Sequence, residues 1–197
     1  MAAITKDRIL DYFATLQSLL REAEATDARG RTVGLEEAFS RIASEARQAH
    51  DKGNKLMFVG NGGSAAIASH MAIDYSKNGN LRSVAFNDGT ALTCLGNDLG
   101  YENVFAKQIE MQGRAGDVLI AISSSGGSVN ILRAVEAAKA LGCFVVTLSG
   151  FSPDNPLRQL GALNLFVRSS EYGFVEISHL TLCHAVLDLA TSVPVDT

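Results

Sequence analysis

Apolar positions along this chain change period once, close to residue 54. Before that point Ile9, Leu10, Phe13, Leu16, Leu19 and Leu20 recur at helical spacing with charges between them. Leu35, Phe39, Ile42, Ala43 and Ala46 repeat the pattern up to a stop at Gly53. The spacing predicts two helices, over about 5–28 and 35–52. The first has little local partner for its apolar stripe, which reads as a subunit contact.

Beyond Lys55 short apolar runs alternate with helical stretches. Leu56–Val59 leads into a helix to about Ser76, and Ser83–Phe86 into a loop and a helix around 103–112. Val118–Ile122 precedes a helix over 128–141, and Phe144–Leu148 a short helix near Leu157. Leu163–Val167 precedes a last helix over about 175–192. Strands alternating with helices predict a three-layer α/β/α sandwich on a mainly parallel five-stranded sheet, preceded by the two helices. We read residues 1–197 as a single domain, with 1–53 a helical pair and 54–197 the sandwich. In such sheets ligands sit beyond the C-terminal strand ends.

Two of those ends are rich in polar backbone and hydroxyls. The first, Gly60-Asn61-Gly62-Gly63-Ser64, joins a strand to a small-residue helix, which gathers backbone N–H groups around an anion. As Gly60-x-Gly62-x-x-Ala65 it also matches a dinucleotide fingerprint, but the acidic residue such a site wants about 20 residues on arrives late, at Asp88. A plain tight turn needing glycine freedom is the bland alternative. The second end is Ser123-Ser124-Ser125-Gly126-Gly127-Ser128. Its hydroxyls at a helix start, with no Walker lysine, suit a phosphate monoester better than a pyrophosphate or a nucleotide triphosphate. The bland reading there is a serine-rich loop with an N-cap at Ser128. Asn87-Asp88-Gly89-Thr90 and Gly96-Asn97-Asp98 read as polar turns bracketing a short apolar piece.

Titratable residues add chemistry to these turns. His70 and Asp74 lie one turn apart on the helix after the glycine turn. Glu176, His179, His184 and Asp188 share the last helix. Glu176 and His184 are about 80° apart around that helix, so both face one cavity. Two helices each carrying a carboxylate and an imidazole suit proton transfer or a divalent metal held by N/O donors. His50 and His179 read as structural.

Bulk composition narrows the classes. The 197 residues are 47% hydrophobic and 19% charged, in the globular range. Net charge −4 and the lack of Lys/Arg runs argue against a nucleic-acid partner. Apolar runs fall short of the ~18 residues a membrane span needs. The N-terminus lacks a signal-peptide core, and Cys94, Cys143 and Cys183 form no C-x-x-C pair. They read as reduced thiols of a cytoplasmic protein.

Taken in order, VGNGGSAA at 59–66, the His70–Asp74 helix, FNDGTALTCLGND at 86–98 and GDVLIAISSSGGSVNIL at 116–132 resemble the sugar isomerase (SIS) domain, in its phosphoheptose isomerase branch. The resemblance implies a homotetramer with shared sites, acting on a phosphorylated sugar such as sedoheptulose 7-phosphate. It implies that Ser64, Ser123, Ser124, Ser125 and Ser128 hold the phosphate. Asn61, Gly62, Gly63 and Asp88 would lie beside the sugar. Asp74 and His184 match the catalytic pair, and His70, Asp74, Glu176 and His184 match a zinc set found in some members; no nucleotide cofactor is implied. Two positions depart from the family pattern: Asp74 stands where it has Glu, and Glu176 where it has Gln. The same fold also serves non-catalytic phosphosugar-sensing or protein-interaction modules, including a replication-initiation regulator. That and a nicotinamide-dependent oxidoreductase are the rival classes.

Overall fold

The computed structural model describes residues 3–192. Helix α1 (Lys6–Arg21) leads into a hairpin, β1 (Glu24–Asp27) and β2 (Thr32–Val33), then α2 (Leu35–Asp51). The sandwich follows: β3 (Leu56–Gly60), α3 (Gly63–Lys77), β4 (Ser83–Ala85), α4 (Gly89–Leu99), α5 (Val104–Gln112), β5 (Val118–Ser123), α6 (Val129–Ala140), β6 (Phe144–Ser149), β7 (Leu163–Phe166) and α7 (Tyr172–Thr191). Short 3₁₀ turns at Tyr101–Asn103 and Pro156–Gln159 complete the chain.

One sheet runs β2-β1-β7-β6-β5-β3-β4. Its five strands β7, β6, β5, β3 and β4 are parallel, as the alternation predicts; β1 joins β7 antiparallel and β2 joins β1. Both faces are covered, so β3 and β5 are buried along their whole length. Leu56, Phe58, Ile120 and Leu148 point to the side of α2, α3 and α7. Met57, Val59, Leu119 and Val145 point to the side of α5 and α6.

Three elements differ from expectation. The first helix stops at Arg21 rather than near 28. Glu22 caps it through a backbone N–H to Ser18 at 2.9 Å, and Glu24–Asp27 then extends along β7. The Glu24 carboxylate is gripped there by Arg158 and Arg168, and Asp27 accepts from the Arg29 and Arg31 N–H groups across the turn to β2. The sheet therefore gains two antiparallel strands. Residues 89–99 are a continuous helix rather than two polar turns, started by Asp88, whose Oδ1 accepts from the Ala91 N–H at 2.8 Å.

Helix α7 is long and apolar enough to cross a membrane, with a mean hydropathy of 1.2 over an 18-residue window. It carries Glu176, His179, His184 and Asp188, however, and buries Phe174, Val175, Leu182, Val186 and Leu187 in the core, so it is a core helix here. By contrast α1 buries no residue, and Ile9, Leu10, Tyr12 and Phe13 are exposed along it.

Candidate functional site

Strands β3 and β5 are neighbours, so the glycine turn and the serine loop open side by side at their C-terminal ends. They enclose a cavity of about 140 Å³ lined by Asn61, Ser64, Ile122, Ser123, Ser124, Ser125, Ser128, Tyr172 and Glu176. Gly62 starts α3 in the left-handed region, at φ 53°, and Gly60 approaches the Ser64 backbone too closely to admit a Cβ. The glycine turn is thereby fixed.

The donors are left free for a ligand. Neither α3 nor α6 has a side-chain cap at its N-terminus. Ser128, the expected cap of α6, instead meets the Ser123 hydroxyl at 3.3 Å. The Ser124 hydroxyl is buried without a hydrogen-bond partner. Two uncapped helix N-termini converging on a hydroxyl-lined cavity with a stranded buried donor are an arrangement that suits an anion, with the Glu176 carboxylate on the opposite side of the balance. Asn61 is held in its wall by reciprocal 2.9 Å bonds with Asn130 and by the Tyr101 hydroxyl at 2.9 Å.

The titratable residues gather farther along α3 and α7, which pack together. His70 Nε2 lies 3.5 Å from Asp74 Oδ2, His184 Nδ1 lies 3.7 Å from the same oxygen, and the two imidazole rings are 5.3 Å apart. Asp74 is the most enclosed, its side chain 17% exposed against 53% for His70 and 32% for His184. Their donor atoms all fall within 4.8 Å of one another. Two imidazoles and a carboxylate at that spacing fit one divalent ion with a coordination position left open.

Other expected site residues stand elsewhere. Glu176 lines the serine cavity, its carboxylate packed against Gly63, and does not join the gathered donors of His70, Asp74 and His184. Asp88 is an exposed helix cap and is absent from the cavity lining. Tyr172 lines the cavity unforeseen, because the last helix begins three residues earlier than its pattern predicts. Asn130 and Tyr101 were likewise missed; no motif flags residues that act only by holding Asn61.

His179, read as structural, is fully buried beside this site, its Nε2 bonded to the Ser149 carbonyl at 3.1 Å. Burial pushes its pKa down to about 4, partly offset by that bond. A depressed folded-state pKa means that the unfolded chain takes up the proton first. Stability is then complete above about pH 6.5 and falls by about 3 kcal/mol as pH drops toward 4. Urea melts of wild type and His179→Gln between pH 4 and 7 check this. The variant is expected to lose that part of the pH dependence, and parallel curves would contradict it.

The comparisons with known proteins follow the same lines. Residues 11–150 match the SIS domain family. The phosphoheptose isomerase of Pelobacter propionicus is 38% identical over 154 residues, covering 75% of this chain and 81% of that protein. That of Aneurinibacillus thermoaerophilus is 35% identical over 186 residues, covering 91% and 92%. The structure of phosphoheptose isomerase GmhA from Neisseria gonorrhoeae matches with a TM-score of 0.81 and 34% identity, covering 95% of this chain and 99% of that one. The chain belongs to the SIS-domain family, in its phosphoheptose isomerase branch.

Proposed function

We propose that this protein is a phosphosugar aldose–ketose isomerase that converts sedoheptulose 7-phosphate into D-glycero-D-manno-heptose 7-phosphate. One observation carries the reading: an anion cavity and an acid–base cluster lie on the same two helices, about one sugar phosphate apart. Gly63 precedes His70 by seven residues and Asp74 by eleven on α3, and Glu176 precedes His184 by eight on α7. At 1.5 Å per residue these offsets are about 10–17 Å, and helical side chains lean back toward the N-terminus, which shortens the span. An extended carbon chain advances about 1.25 Å per bond, so the eight bonds from C1 to the phosphorus of a heptulose 7-phosphate span about 10 Å.

In this reading Ser64, Ser123, Ser124, Ser125 and Ser128, with the N–H groups of Gly62 and Gly63, hold the phosphate. That places C1 and C2 beside Asp74 and His184. Asp74 takes the C1 proton as His184 donates a proton to the C2 carbonyl oxygen, giving an enediol(ate). Asp74 then returns its proton to C2 while the O1 proton passes to His184, leaving the C1 aldehyde. Asn61 and Asp88 are assigned to the sugar hydroxyls. His70, Asp74 and His184 would hold a divalent metal, zinc by donor type, without Glu176, which is turned to the serine cavity. When bound, such an ion would polarise the sugar carbonyl and stabilise negative charge on oxygen.

We read the whole chain as one SIS domain, a division supported by the single sheet that threads the N-terminal segment and the sandwich alike. The uncovered apolar stripe of α1 supports a subunit contact, which we assign to a homotetramer, and three free thiols suit the cytoplasm. Purified protein is expected to isomerise sedoheptulose 7-phosphate, with inorganic phosphate as a competitive inhibitor. No turnover and no binding of inorganic phosphate would favour the interaction-module class instead.

A further inference from the structure

Between the two halves of this site lies a buried polar node at the end of β6. Ser149 is fully buried. Its hydroxyl accepts from Asn155 Nδ2 at 3.2 Å and Asn164 Nδ2 at 3.1 Å. Its carbonyl accepts from His179 Nε2 at 3.1 Å and from the Val167 N–H at 2.9 Å.

Asn155 reaches from this node to the serine loop. Its Nδ2 also donates to the carbonyls of Ser152 at 2.7 Å and Gly150 at 3.2 Å, and its Oδ1 accepts from the Arg158 N–H at 3.0 Å. The side chain fills the space that a Cβ on Gly126 would need, and Gly126 has φ +64°. The Gly126 carbonyl accepts from the Leu157 N–H at 3.1 Å, and the Ser124 carbonyl from the Gly150 N–H at 2.9 Å. The loop after β6 is thus the mould against which the serine loop is set.

His179 reaches from the same node to α7, three residues after Glu176 and five before His184. Its Nδ1 has no hydrogen-bond partner, so a single bond fixes the ring. A leucine would pack in that place without stranding a buried nitrogen, so the imidazole is there for the bond it makes. That bond ties α7 to the end of β6 between the turns that carry Glu176 and His184.

We infer that Asn155 and His179 are positioning residues that meet at Ser149, Asn155 setting the phosphate grip and His179 setting the acid–base helix. The assignment of roles rests on the isomerase reading above. The test compares wild type, Asn155→Ala, His179→Leu and His179→Gln in two assays: turnover of sedoheptulose 7-phosphate and binding of inorganic phosphate by titration calorimetry. Gln places an amide nitrogen where Nε2 stands and keeps the bond.

Asn155→Ala is expected to weaken phosphate binding and raise KM by about tenfold, with kcat changed less than about threefold. His179→Leu is expected to lower kcat by about tenfold or more with phosphate binding nearly intact, and His179→Gln to restore most of it. The Ser149 carbonyl keeps its bond from Val167, so a loss in His179→Leu is not that of a stranded acceptor. Equal losses of both parameters in both variants, or no rescue by Gln, would overturn the inference. If turnover fails in every protein while wild type still binds phosphate, the isomerase reading falls, and undiminished binding by Asn155→Ala overturns the inference separately.

Discussion

Asp74→Asn is expected to lower the rate of isomerisation by about 10³-fold or more, with little change in melting temperature or in inorganic phosphate affinity. Among the described residues Asp74 is the one carboxylate in reach of both imidazoles, at 3.5 Å from His70 and 3.7 Å from His184. Neither contact is short enough for a hydrogen bond that would make the residue a structural brace. An amide keeps the shape and removes the base. The serine cavity lies nearly three helical turns back along α3 and keeps its own partners, so phosphate binding is expected to persist. Steady-state kinetics beside calorimetric phosphate titration checks the split. A variant that retains a tenth of wild-type kcat would remove Asp74 from the chemistry.

Gly60→Ala is the substitution expected to damage fold and site together. An added Cβ would lie 2.5 Å from the Ser64 carbonyl oxygen, 2.6 Å from its carbon and 2.9 Å from its Cβ. The obstacle is backbone at the first turn of α3, so relief requires moving the helix start that carries Ser64. A loss of about 3 kcal/mol is expected, or about 10 °C in melting temperature for a domain of this size, together with loss of phosphate binding. Gly53→Ala is the control. It has φ +77° but nothing within 4 Å of an added Cβ, so only left-handed strain of about 1–2 kcal/mol applies. Equal destabilisation by the two changes would show that crowding at Gly60 is not the issue.

The parallel core was legible because its strands are buried on both faces and read as unbroken apolar runs, Leu56–Val59 and Val118–Ile122 above all. The hairpin at β1 and β2 was not. Glu-Ala-Thr-Asp has poor strand propensity, and it is extended because Glu24 finds Arg158 and Arg168 on distant parts of the chain. Helix α4 was hidden by Gly96-Asn97-Asp98, turn formers by local chemistry that are carried through by Leu92 and Leu95 packing against the core. At the site, the i,i+4 pair His70 and Asp74 was visible by spacing, and His184 as its partner only through the family resemblance. The position of Glu176 was not: its aim toward the serine cavity depends on how α7 is rotated against α3, which pattern along one helix cannot specify. The same is true of His179, whose role is visible only with the end of β6 beside it.

The most direct measurement is proton NMR of the purified protein with sedoheptulose 7-phosphate in D2O, with and without added zinc. The account predicts an aldoheptose phosphate carrying deuterium at C2, formed by wild type and not by Asp74→Asn. No product and no exchange at C1 or C2, by a protein that still binds inorganic phosphate, would contradict it.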